Sequence, residues 1–162
     1  MSGDALSGRA PKEPSQEQTA MTVHYVKPAI AVFDATPELL FQYMSAGNHR
    51  HLAFKSHRLA GVAGNVVTLD AEVYNPDGTT FAMQVEHTLD PPRGIETRLT
   101  GGAFDGARFT HSYTPMGGRT KVDLEGDFPA LPGMSDADTL KMIDGFFGVI
   151  FAEDTATLRH WS

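Results

Sequence analysis

The chain contains no cysteine. Disulfides, thiolate metal sites, iron–sulfur clusters and cysteine nucleophiles are therefore excluded. No apolar run approaches the roughly 20 residues that a membrane helix needs, so no membrane span is expected. Cations are scarce: 13 Lys and Arg stand against 20 Asp and Glu, a formal net charge of −7. Phosphate-bearing partners are held by clustered Lys and Arg. The one local cluster, Arg50, Lys55 and Arg58, is small and interleaved with histidines. Nucleic acid and anionic membrane surfaces are accordingly not expected as partners. No charged-then-apolar leader is visible, which makes the cytoplasm the expected location. The chain also lacks a phosphate-cradling glycine loop, a Gly-x-Ser-x-Gly elbow and a dinucleotide fingerprint. Gly101-Gly102 and Gly117-Gly118 read as turn glycines.

What remains is a chain of 162 residues with 41% hydrophobic content, enough for one domain with a real core. Residues 1–20 are polar and rich in Ser, Pro, Gly and Glu. Such a stretch buries too little apolar area to offset its ordering entropy and is expected to be a disordered tail, leaving residues 21–162 as the domain. Val23–Phe33 is β-rich, and Pro28 within it suggests an edge or a bulge. Thr36 followed by Pro37 and Glu38 caps a short helix that ends near Gly47. Asn48–Ser56 reads as a second short helix or a loop. Strand candidates follow at Asn65–Tyr74, Thr80–Leu89, Ile95–Thr100, Ala107–Thr114 and Thr120–Phe128, separated by Gly- and Pro-containing turns. Ser135, with Asp138 three places on, opens a long helix to Trp161. The expected class is α+β: a curved antiparallel sheet of about seven strands, two short helices after the first strand, and a long closing helix. An amphipathic helix laid on a concave sheet leaves room between the two layers for a ligand. Val66–Val73, if it lies at a sheet edge, could pair with a second copy as a homodimer.

One residue interrupts the apolar face of the closing helix. At 100° per residue, Ile143, Phe147, Ile150, Asp154, Leu158 and Trp161 fall within roughly 80° of one another, and Asp154 lies near the centre. A bare carboxylate there costs several kcal/mol unless it meets a cation, hydrogen-bond donors, water or a proton. Two readings stay open. The first makes Asp154 a structural partner, for instance to Arg108. The second makes it an acid–base group in a ligand cavity, its pKa raised by burial, with His51 or Tyr113 completing the pair. Strand alternation places Phe81, Met83, Val85 and His87 on one face, and Phe109, His111 and Tyr113 on another. His87 is the polar end of the first, inward-looking row, and the second row mixes apolar bulk with donors, as a cavity wall does. His87, His111, Met83, Phe109, Phe147 and Ile150 are therefore the candidate ligand-binding residues, and Asp154, His51 and Tyr113 the candidate catalytic ones.

The order of elements, with Thr36–Met44 as first helix and the long closing helix, resembles the helix-grip (SRPBCC) superfamily of START domains, Bet v 1-like proteins and polyketide cyclases. The resemblance covers about residues 22–161. It implies a cavity for a hydrophobic small molecule such as a lipid, polyketide or aromatic, with no cofactor required, and leaves carriage, cyclisation, hydrolysis and sensing open. A narrower resemblance is to the catalytic domain of Rieske-type oxygenases. It rests on Phe151-Ala152-Glu153-Asp154 of the closing helix, on the histidines of residues 48–57, and on His111–Pro115 followed by Thr120. This second resemblance implies Fe2+ held by His51, His57 and Asp154. The spacing departs from that family, whose histidines lie five positions apart: His51 and His57 are six apart and His49 and His57 eight. No cysteine-containing Rieske domain accompanies them.

Overall fold

The computed structural model describes residues 22–45 and 51–158. The polar tail, His49 and Trp161 lie outside the described residues. Strand β1 (Thr22–Phe33) leads to helix α1 (Pro37–Ser45). Six strands follow: β2 (Phe54–Ala63), β3 (Val66–Tyr74), β4 (Thr80–Asp90), β5 (Gly94–Thr100), β6 (Arg108–Met116) and β7 (Arg119–Pro129). Helix α2 (Asp136–Leu158) closes the order. The strands form one antiparallel sheet in the order β1-β7-β6-β5-β4-β3-β2. β2 to β7 thus run as a meander of neighbours, and β1 returns to pair with the last strand.

Local chemistry explains the boundaries. Thr36 Oγ1 accepts from the amide of Leu39 (3.3 Å) at the start of α1, and Ser135 Oγ accepts from the amide of Asp138 (3.1 Å) at the start of α2. The register of β1 against β7 slips between Lys27 and Ala31, around Pro28. There the side chain of Asp123 accepts from the amide of Ala29 (2.7 Å), which has a left-handed φ of 50°. Proline cannot donate to a ladder, so it marks both the edge strand and its bulge.

Three sequence expectations change. Among the described residues one helix, not two, separates β1 from β2. Residues 48–50 of the suspected second helix lie outside the description, Leu52 and Ala53 form a turn, and Phe54 already begins β2. β2 escaped the strand pattern because it is an edge strand with two register shifts and mostly exposed side chains, so no clean alternation is imposed on it. β3 is flanked by β2 and β4 and is not an edge, so it offers no free ladder for a second copy.

The core lies between the inner sheet face and α2. Thr139, Ile143, Phe147, Phe151, Asp154 and Leu158 are the buried residues of that helix. The buried stripe is rotated relative to the sequence expectation, taking in Phe151 and leaving Ile150 half-buried. Aromatic residues of β1 set this rotation. Tyr25 stacks on Phe147 at 6.1 Å and donates its hydroxyl hydrogen to Asp144 (2.6 Å), while Phe33 meets Phe151 at 6.4 Å. Phe109, Phe128 and Phe147 form the centre of the cluster, with ring separations of 5.0 to 5.9 Å. Gly126 stands in register between Tyr25 and Phe109, and a Cβ there would collide with the Arg108 carbonyl oxygen and with Phe109. Gly126→Ala is therefore expected to destabilise the protein by about 2 kcal/mol through overpacking. Urea unfolding should show a lower midpoint at unchanged slope; an unaltered midpoint would mean that the strands can spread at no cost.

Candidate functional site

Three chain segments meet at Asp154. Leu40 and Tyr43, one turn apart on the buried face of α1, bring a phenol inward. The residues leading into β2 supply His51, and the last turns of α2 supply Glu153 and Asp154. Asp154 is 2% exposed. Its Oδ1 accepts from the Tyr43 hydroxyl at 3.0 Å and lies 3.4 Å from His51 Nε2. On the other side of the imidazole, Nδ1 donates to Glu153 Oε2 at 2.8 Å, and the same oxygen takes the amide of Leu52 at 3.3 Å. Arg108 is not the partner of Asp154: it is exposed, and its Nε donates to Glu96 (2.6 Å).

This arrangement has a definite proton count. Nδ1 uses its hydrogen on Glu153. A bare Nε2 lone pair facing a carboxylate oxygen at 3.4 Å would be repulsive in so buried a place, so a second proton belongs to the His51–Asp154 contact. Whether it is drawn on the imidazole or on the carboxyl, His51, Glu153 and Asp154 together then carry one negative charge. Burial, reinforced by the Asp154 charge, pushes the Tyr43 phenol well above its ordinary range, so it stays a donor.

The facing wall is the sheet. Phe109, His111 and Tyr113 of β6 share its inner face with Met83, Val85 and His87 of β4 and Thr97 of β5, as the ladder register requires. His87 Nδ1 is hydrogen-bonded to Thr97 Oγ1 at 2.8 Å. His111 lies flat on Phe109 (5.7 Å) and edge-on to Phe151 (5.3 Å). Both its ring nitrogens and the Tyr113 hydroxyl are buried with no hydrogen-bond partner among the described residues. Burial, with a smaller contribution from His87, pushes the His111 imidazole down to about 3. Burial and then the Asp154 charge push the Tyr113 phenol upward.

Two clefts open beside this cluster. One, of about 600 Å³, is lined by His51, His57, Phe54, Tyr74 and Glu153. The other, of about 300 Å³, is lined by Tyr113, Thr36, Pro37, Arg93 and Pro115. The structure thus brings His51 to Asp154 and places Tyr113 within electrostatic reach of the same carboxylate. Of the other candidates, His111 and His87 stand on the inner sheet wall, and Met83 and Ile150 are half-buried. Phe109 and Phe147 pack on each other in the core and line neither cleft. Sequence reasoning missed Tyr43 and Glu153. The signal for Tyr43 was its position three residues after Leu40 in a short amphipathic helix, and Glu153 stood beside Asp154 in the stretch already singled out.

The iron reading does not fit these residues. Among the described residues no three His, Asp or Glu side chains converge so as to hold a metal. Both ring nitrogens of His51 face carboxylates, and His57 of β2 forms no metal-holding cluster with them. Fe2+ ligation by His51, His57 and Asp154 is therefore set aside.

No protein-family model matches the sequence, and no curated protein matches it. Solved structures do match. The di-domain aromatase/cyclase StfQ of the steffimycin biosynthetic pathway superposes with a TM-score of 0.69 at 13% identity, over 91% of this chain and 55% of that one. This chain therefore spans about half the length of that protein. A START superfamily protein from Mycobacterium smegmatis gives 0.69 at 15% identity, over 88% and 99% of the two chains. The Zhui aromatase/cyclase from Streptomyces gives 0.60 at 13%, over 85% and 90%. The chain has the helix-grip α+β fold that these proteins share.

The depressed His111 titration has a consequence for stability. Its ordinary value is 6.5, so between pH 6.5 and about 3 the unfolded chain binds a proton that the folded chain does not. Stability contributed by the neutral ring is complete above pH 6.5 and is lost as the pH falls through that window. Compared with the wild type, His111→Phe should lose about 2 kcal/mol less between pH 6.5 and 4.5 in urea titrations. Parallel profiles for the two proteins would contradict this assignment.

Proposed function

We propose that this chain binds a hydrophobic small molecule between the inner sheet face and α2, and that Asp154, backed by His51, moves a proton at a carbonyl or enol group of that molecule. The observation that carries the reading is a set of buried polar atoms without partners in an otherwise aromatic wall: the Tyr113 hydroxyl and the two His111 ring nitrogens. Each such group left unsatisfied costs about 1–3 kcal/mol, and a ligand oxygen or hydroxyl placed against it recovers that loss. The fold-sharing proteins described as aromatase/cyclases and as a START superfamily member support the same class of ligand.

The chemistry follows from where the protons are. A carbon next to a carbonyl becomes more acidic when the carbonyl oxygen receives a hydrogen bond. The Tyr113 hydroxyl, held protonated by burial, is the donor for that oxygen. With the shared proton on His51, the carbon-bound hydrogen leaves as a proton to the Asp154 carboxylate, and the electron pair moves into an enolate whose oxygen keeps the Tyr113 hydrogen bond. Glu153 holds the imidazole by Nδ1, which keeps Nε2 turned toward Asp154. Returning the proton to a hydroxyl leaving group would complete a dehydration, and returning it to an alkoxide an aldol cyclisation. No cofactor takes part in this sequence.

Exchange at the α-carbon of 1-tetralone, followed by NMR in deuterated buffer, tests the reading. The wild type should accelerate exchange saturably. Asp154→Asn should reduce the acceleration by about a hundredfold, the scale of a general base, and Tyr113→Phe by a smaller factor. Acceleration that survives in Asp154→Asn would remove the carboxylate from the mechanism. Mass spectrometry of organic extracts of the purified protein should find an apolar compound; an empty extract together with no saturable binding would remove the ligand itself.

A further inference from the structure

We infer that the site selects neutral ligands and rejects amphiphiles whose head group is a carboxylate or a phosphate. This rests on the ligand-binding reading above and specifies the class of molecule it takes. An anionic head group buried against protein needs a cation or a set of unopposed amide donors, because a lone charge in an apolar cleft is not tolerated. Among the described residues the inner wall offers neither. Its unpartnered groups are a phenol and a neutral imidazole, Tyr113 and His111. These match the lone pairs and hydroxyl hydrogens of ketones, phenols and alcohols.

The charge already in the site has the wrong sign for an anion. His51 is the one basic group in the buried cluster, and Glu153 and Asp154 hold it from both sides, at 2.8 and 3.4 Å. The cluster as a whole carries one negative charge. Lys55 and Arg93, which border the two clefts, are each opposed by an acid: Lys55 by Glu72 at 3.6 Å, and Arg93 by Asp90 at 2.8 Å. Arg58, Arg108 and Arg119 are exposed and paired with Asp70, Glu96 and Asp34. The first turn of α1 borders the smaller cleft, but it presents the Glu38 side chain along with its amides. A carboxylate entering from either side therefore approaches net negative charge without a free cation to meet it.

The test compares a matched pair, 2-naphthol and 2-naphthoate, by fluorescence titration against the intact protein at pH 7. One negative charge at close range in a partly desolvated cleft should make the naphthol bind at least about tenfold more tightly. In Glu153→Gln that ratio should shrink, because the cluster loses its excess negative charge while the apolar wall is unchanged. Glu153→Ala provides the same reading if the first variant folds poorly. Naphthoate binding as tightly as naphthol, or more tightly, would overturn the inference while leaving ligand binding intact. A ratio unchanged in both folded variants would overturn the assignment of the selectivity to this cluster. Failure of both probes to bind the wild type would remove the ligand-binding reading, and the inference with it.

Discussion

A carboxylate sealed 2% exposed inside an aromatic core has to be compensated, and the compensation of Asp154 ties the distant parts of this fold together. Tyr43 comes from α1, His51 from the residues before β2, and Asp154 itself from α2. Tyr43 and His51 lie eight residues apart, whereas Asp154 follows about a hundred residues later. Desolvation of an unpaired carboxylate costs several kcal/mol, a large share of the roughly 5–15 kcal/mol by which a domain is stable, so the folded state favours all three segments in place. The same cluster places His51 and Glu153 at the wall of the larger cleft, with Asp154 behind them in the core. The structural role of Asp154 is thus met by Tyr43 and His51, and the proton chemistry proposed above would use the same atoms.

The opposite wall shows a complementary imbalance. Tyr113 and His111 carry polar atoms into a layer where Phe109, Phe128, Phe147 and Phe151 pack ring against ring. A layer selected only for stability would place aliphatic or aromatic groups there, because an unmet donor or acceptor subtracts from the burial energy. Polar atoms retained at that expense are what the proposed ligand-binding role would account for. The fold shared with START and aromatase/cyclase structures supplies the frame, and these particular side chains supply the reading of this chain.

Legibility from sequence varied with how strongly each element is buried. β4, β6 and β7 have an inner face against the core, and their alternation is visible in residues such as Phe109, His111 and Tyr113 or Val122, Leu124 and Phe128. Helix starts were visible because Thr36 and Ser135 cap them by local hydrogen bonds. β2 was not visible, because an edge strand with exposed side chains carries little periodic signal. The rotation of α2 was not visible either. Ile150 and Phe151 are equally apolar, and only the positions of Tyr25 and Phe33 on β1 decide which of them is buried.

From its residues alone the chain declared its class, its lack of thiol chemistry, its acidic balance and the anomaly of an aspartate on an apolar helical stripe, since composition and periodicity are local properties. Which groups satisfy that aspartate was decided only in three dimensions. Tyr43 precedes it by 111 positions, and neighbouring Glu153 reaches it only through His51, 102 residues earlier. A sequence records which side chains can donate or accept a proton; the distance and direction between them exist only once sheet and helix have closed around the core.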